Sequence, residues 1–411
     1  MQIDEQEILQ VTPKHFMSRP LRILMILHMP WTPNLGAPRV QYEIAEEWRE
    51  LGYVVDKFDL EDAFPHRNKL TAFFESSLFA RRAIHFVRQH GEQYDIIDAH
   101  QANLTISKQQ LGFKGLLAVR SSGLGHFYRQ YEQSVERNRR QRGEKSLGSF
   151  LGNYLRQLAR LLGPTLADYE KSFAHADVIT VPNQDEYHYV TQTLGWKNKT
   201  VMLHHGLREE KFLHFKQARM PVANRLASQQ IVFIGHWGER KGARDFPQIV
   251  RQVRQASPST TFLMLGTGHS SKFILSNFDP VDLPHIKVTP FFDQQDLPEL
   301  LSHATVGIFP SYCEAFGWAI LEQLAAGIPV IAYEESGPKE MLKHFSLPLM
   351  VSKGEVSTIA QKLLEVLQLS LVDYTVLTEQ SCQIAAQFKG QTIARKLLQV
   401  YENKLEQIYR S

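Results

Sequence analysis

Residues 306–335 read VGIFPSYCEAFGWAILEQLAAGIPVIAYEE, and their local pattern decides the fold. A β-rich run, Val306–Ser311, feeds a loop that carries Glu314. A small-residue helix opens near Phe316–Gly317, holds Glu322, and gives way to a second strand, IPVIAYEE. Strand, helix, strand in that order favours α/β architecture with parallel sheets. The junction between strand and helix presents free backbone N–H groups and the positive end of a helix dipole. Gly317 would let a ligand come close to the backbone. Glu322 then lies roughly 8 Å further along the axis, at ~1.5 Å per residue. Two carboxylates so arranged can hold hydroxyls at separate parts of one extended ligand, with an anion at the helix start between them. A sugar nucleotide has that order of groups: hydroxylated hexose, diphosphate, hydroxylated ribose.

Alone, two acids eight positions apart read as a loop acid and an exposed helix residue. A second stretch changes the weighting. IVFIGHWGERKGARDF (231–246) is again a strand, a glycine loop and a helix start, with Arg240 and Lys241 adjacent in the loop. Arg forks onto phosphate oxygens and Lys adds a point charge, so the pair suits a diphosphate.

The same alternation runs from end to end. LRILMIL (21–27) is a buried-strand candidate, followed by a Pro/Gly loop and the amphipathic helix VQYEIAEEWRELG; YVVDKFD, YDIIDAH, GLLAVRSS and ADVITVPN read as further strands. The pattern restarts near residue 230. At 411 residues, 43% of them hydrophobic, two cores are expected rather than one. The polar stretch 208–228 lacks a sustained period and reads as a linker. It divides an N-terminal domain (1–207) from a C-terminal domain (229–385), with a terminal helix at 386–411. The net charge of +3, from 46 basic and 43 acidic residues, is too balanced to signal nucleic acid. Two cysteines far apart suggest a reducing compartment without a disulfide framework. No apolar run reaches the ~18–20 residues of a membrane span, and the acidic N-terminus lacks signal-peptide order. A soluble, cytoplasmic protein is expected.

Together these segments resemble the retaining glycosyltransferases of family 4, the glycosyl transferases group 1. PSYCEAFGWAILEQLAAGIPVIA is similar to that family's signature, and GHWGERKG to its phosphate-binding loop. PNLGAPRVQYEIAEEWRELGY resembles its first glycine loop and helix. The resemblance implies a GT-B fold: two Rossmann-like domains facing a central cleft, with the C-terminal helix returning to the N-terminal domain. It implies a nucleotide-sugar donor, of UDP type with GDP-mannose as the rival, and a saccharide, lipid-linked or small-molecule hydroxyl acceptor. Transfer would retain anomeric configuration and need no metal or other cofactor. Arg240 and Lys241 would bind the diphosphate, with Gly235 opening their loop. Glu314, beside the N–H groups near Phe316 and Gly317, would hold the sugar, and Glu322 the ribose. Gly36 would approach the diphosphate from the first domain.

The sequence departs from the family in places. Leu35-Gly36 stands where many members have two glycines, and Gly235-His236 where many have Gly-Arg. Many members carry a sugar-side His after the strand corresponding to GLLAVRSSG. Here Arg120, Ser121 and Ser122 occupy that region; His126 follows, and His100 ends the preceding strand, so all but Ser122 stand as sugar- or acceptor-side candidates. No Asp-x-Asp and no zinc-like His/Cys spacing occurs. The basic run RNRRQRGEK and the apolar-striped segment after it, together Arg137–Gly163, read first as a helix packed on the sheet. Peripheral contact with a membrane is the other reading. Two rival functions share this fold: a non-catalytic nucleotide-sugar binder, and phosphorylase-like or pseudo-glycosyltransferase chemistry.

Overall fold

Parallel pairing obliges the chain to cross over between successive strands, and helices fill those crossovers here. The computed structural model describes residues 19–66, 71–141 and 164–410. The chain divides into two compact units: the first runs to His204 and resumes at Gly390, and the second spans His205–Lys389.

The first unit holds β1 (Arg22–Ile26), β2 (Val54–Phe58), β3 (Ile96–His100), β4 (Leu116–Arg120), β5 (Val178–Val181) and β6 (Thr200–Met202). They form one parallel sheet in the order β2-β1-β3-β4-β5-β6. Strands β3, β4 and β5 are buried throughout, as a sheet covered on both faces requires. The second unit holds β7 (Gln230–Ile234), β8 (Thr261–Leu265), β9 (Ile286–Thr289), β10 (Val306–Phe309), β11 (Val330–Tyr333) and β12 (Met350–Val351). Its parallel order is β12-β11-β10-β7-β8-β9.

The helices that matter for the sites are α1 (Gly36–Glu50), α2 (Gly125–Gln141), α3 (Leu166–His175), α4 (Glu209–Ala218), α5 (Val222–Ser228), α6 (Phe246–Ala256), α7 (Trp318–Ala325), α8 (Ser336–Leu342) and α9 (Gly390–Arg410). Helix α6 shows how pattern becomes packing: Phe246, Ile249, Val250 and Val253 are its buried face.

Strand order locates the sites. In the first sheet the winding reverses between β1 and β3, and in the second between β7 and β10. At such a reversal the outgoing loops diverge and leave a crevice beyond the carboxyl ends of the strands.

One segment differs from expectation. Residues 208–228, expected as a linker, are largely α4 and α5 of the second unit. Phe215 enters that unit's core, and the buried Arg225 guanidinium donates to the carbonyls of Ala326 (2.9 Å) and Gly327 (3.0 Å). A buried Arg serving the end of α7 hides a packed helix inside a polar-looking sequence. At the other boundary, the chain leaves the second unit at Lys389, and α9 returns to the first. Helix α9 lays Ile393, Ala394, Leu397 and Tyr401 against Ile23, Met25 and Trp48, with Trp48 Nε1 donating to Ala394 O at 3.0 Å. Of the Arg137–Gly163 segment, residues 142–163 lie outside the described residues. Among the described residues, no helix is long and apolar enough to cross a membrane.

Candidate functional site

The reversal between β7 and β10 gathers the charged residues singled out in the sequence. Gly235, at φ 153°, turns the chain out of β7 into a single 3-10 turn, Glu239–Lys241, which ends at Gly242 with φ 78°. A Cβ on Gly242 would lie 2.3 Å from Pro310 O, so only glycine lets this loop seat against the end of β10. Tyr312 N–H donates to Arg240 O at 2.8 Å and Arg240 donates back to Cys313 O at 2.8 Å, which stitches the two loops together.

Glu314 accepts from Lys241 Nζ and from Arg240 at 3.4 Å. Burial alone would raise the Glu314 carboxyl, but the Lys241 and Arg240 cations outweigh it and hold the group below its ordinary value. Burial pulls Lys241 below its ordinary value, and Glu314 opposes that pull. Its ammonium lies 4.6 Å from the Phe309 ring centroid. Arg240 is the more exposed of the two cations, its side chain 36% accessible against 16% for Lys241. Two cations converge on one carboxylate at the carboxyl edge of the sheet, an arrangement suited to an anion carrying several oxygens.

Behind Glu314, Gly317 (φ 92°) caps α7, and Gly337 N–H donates to Glu314 O at 3.0 Å. A Cβ on Gly337 would fall 2.5 Å from three backbone atoms of Phe316, so α8 covers that backbone. The Phe316 ring is core, 4.8 Å from the His205 ring and 5.8 Å from that of Trp318. Glu322 sits in the second turn of α7 and is buried, not exposed.

The first unit has its own crevice at the reversal between β1 and β3, a cavity of about 360 Å³. His28, two residues past β1, and His100, at the end of β3, meet there with ring centroids 4.8 Å apart. Burial pushes His28 down to about 4; burial and then the neighbouring His28 put His100 well below the ordinary imidazole value. Both rings are neutral at pH 7. His100 Nε2 lies 2.8 Å from Ser122 Oγ and Nδ1 3.3 Å from Gln101 O, so the ring proton belongs on Nδ1 and the serine hydroxyl donates to Nε2.

Of the four candidates read from this region, only His100 reaches the cavity. Arg120 turns to the α9 face of the sheet, where it pairs with the fully buried Asp98, itself bonded by Tyr401 OH at 2.8 Å. Ser121 points to the opposite face and donates to Glu186 at 2.8 Å; burial raises that carboxyl to about 7. His126 meets Glu170 on α3 at 3.2 Å. Alternation along β4 and the helical phase of α2 send all three away. Gly36 opens α1, and its neighbour Ala37 lines the cavity. His28 escaped the sequence reading; the available signal was a histidine directly after the apolar run Ile23–Leu27.

The fold these two sheets define is GT-B. Sucrose-phosphate synthase from Thermosynechococcus elongatus superposes with a TM-score of 0.68 at 17% identity, covering 93% of this chain and 98% of that one. Anabaena HepE in complex with UDP and glucose superposes with a TM-score of 0.63 at 16% identity, covering 92% and 99%. Residues 228–369 match the Glycosyl transferases group 1 family, and the second unit carries a domain of that family. Among curated proteins, the 2-deoxystreptamine N-acetyl-D-glucosaminyltransferase of Niallia circulans is 22% identical over 180 residues, 44% of this chain and 46% of that protein. The chain spans about half the length of the curated relatives it matches.

Proposed function

We propose that the protein transfers a sugar from a nucleotide-sugar donor, of UDP type, to an acceptor hydroxyl, with retention of anomeric configuration and without a metal ion. The observation that carries this reading is the Arg240–Lys241–Glu314 cluster at the reversal of the second sheet. A donor diphosphate can draw Arg240 and Lys241 onto its oxygens. The two cations then stabilise the charge that grows on the leaving phosphate as its bond to the anomeric carbon breaks. Glu314, released from part of its pairing, accepts from sugar hydroxyls, and Glu322 serves the ribose. In the front-side route the acceptor oxygen bonds to the anomeric carbon on the face being vacated, and its proton passes to the departing phosphate oxygen. No protein nucleophile is needed. The group 1 match and the UDP complexes of the Anabaena neighbour support the donor class.

The test is a thermal-shift and turnover screen against UDP, GDP, ADP and their sugar conjugates, with and without added metal. A ligand at ~100 times its Kd raises stability by roughly 2.7 kcal/mol, a readable shift. Stabilisation by one nucleotide family without metal, with Lys241→Ala abolishing turnover, is the expected result. Unchanged kcat/KM in Lys241→Ala and Arg240→Ala would refute the phosphate assignment. Nucleotide binding with no product from any acceptor would make the chain a binder instead.

A further inference from the structure

The cavity of the first unit has a chemistry of its own. Asn103 Nδ2 donates to Ile26 O at 3.2 Å, which turns its Oδ1 toward His28 Nδ1 at 3.1 Å. The carboxamide oxygen can only accept, so the ring proton sits on Nδ1 and His28 Nε2 keeps its lone pair. Among the described residues Nε2 has no hydrogen-bond partner, and it is not a sealed buried atom. His28 lines the cavity, and Nε2 is the ring atom left to accept there.

Part of the lining is aromatic and shaped by two glycines. A Cβ on Gly123 would lie 2.6 Å from the Tyr128 ring, and one on Gly125 would lie 2.6 Å from the Tyr169 ring. Both tyrosines line the cavity because those positions lack side chains. Among the described residues that line the cavity, Arg129 and Glu132 contribute one charge of each sign and the imidazoles are neutral, so these residues offer no excess of cations to hold a phosphate. A volume of about 360 Å³ is near the lower end of small-molecule sites, ~300–1,000 Å³.

We propose that this cavity seats the acceptor as one small free polyol ring, a monosaccharide or an aminocyclitol without phosphate. A hydroxyl of that ring donates to His28 Nε2 while the ring lies against the Tyr128 and Tyr169 walls. His28 is then a specificity-determining residue: a ring lacking that hydroxyl leaves its lone pair unmatched. This assignment rests on the transferase reading above and narrows its acceptor class.

The test uses the full chain labelled with nitrogen-15 in histidine. Glucose, N-acetylglucosamine, myo-inositol and 2-deoxystreptamine are titrated at millimolar concentrations, alone and with UDP. The expected result is that at least one ring moves the His28 Nε2 resonance. His28→Phe then weakens that ring by about tenfold, the value of one hydrogen bond, with UDP affinity retained. His28→Gln, whose carboxamide oxygen can still accept, keeps part of the affinity, and serves if the Phe variant does not fold. Ring binding that leaves Nε2 unmoved, or no ring binding in a chain that binds UDP, overturns this assignment and spares the transferase reading. A chain that binds no nucleotide overturns the reading beneath it.

Discussion

Replacing Lys241 with Met tests whether the Glu314 cluster is held by charge. Lys241 and Glu314 are mostly buried, with side chains 16% and 14% accessible. Removing one partner of a buried pair typically costs ~3–5 kcal/mol, because the other charge is left uncompensated. Arg240 remains 3.4 Å from Glu314 and takes up part of that loss, although its guanidinium is also committed to Cys313 O. The expected cost is therefore about 2–3 kcal/mol. For a unit of 150–250 residues this is a fall of roughly 5–10 °C in the melting temperature of the second unit. Glu314→Gln in the same background removes the stranded charge, so the double variant should recover most of the loss. The single effects would then fail to add by about 2 kcal/mol. The pH dependence supplies a second reading. Glu314 sits below its ordinary value in the folded protein, so its contribution is present above the unfolded carboxyl value and fades as pH falls through the lowered one. The gap between wild type and Lys241→Met should narrow in acid. Calorimetry of the four proteins across pH decides the matter. Strictly additive single effects, or a gap that widens in acid, would refute the argument.

Gly337→Ala should act on the same site through shape alone. Its methyl would press 2.5 Å from Phe316 backbone atoms, and the Glu314–Gly317 loop must retreat; a displacement near 1 Å is expected to lower kcat/KM by about 100-fold with modest loss of melting temperature. In the first unit, the unfolded chain binds a proton at His28 near pH 6.5, whereas the folded chain does so only near 4. Folded stability therefore falls as pH drops through that window, and relative to His28→Gln the wild type should lose about 3 kcal/mol between pH 7 and pH 4 in denaturant melts. A parallel pair of pH profiles would show that the ring is not buried as neutral imidazole.

Much of the second site was legible because its signals are local. A strand, a glycine loop with Arg240 and Lys241, a second strand and Glu314 each declare their place in the chain within about 15 residues, through the two periodicities of strand and helix. What that reading missed was non-local. Nothing within 208–228 reveals that Arg225 will be buried against the end of α7, because the carbonyls it serves lie about 100 residues away.

The sequence by itself determined the α/β alternation, the parallel sheets and the charged loops at the carboxyl ends of β7 and β10. These follow from hydrophobic period and turn chemistry, which act over a few residues. Tertiary structure alone decided which side chains share a site. His28 and His100 meet because β1 and β3 are neighbours in the sheet, although β2 lies between them in sequence. Arg120 and Ser121 leave the cavity because the last side chain of β4 and the one that follows it face opposite sides of the sheet, one toward Asp98 and Tyr401 and the other toward Glu186. Strand order and the choice of covering helix depend on burying whole faces at once, a condition that no single stretch of chain contains.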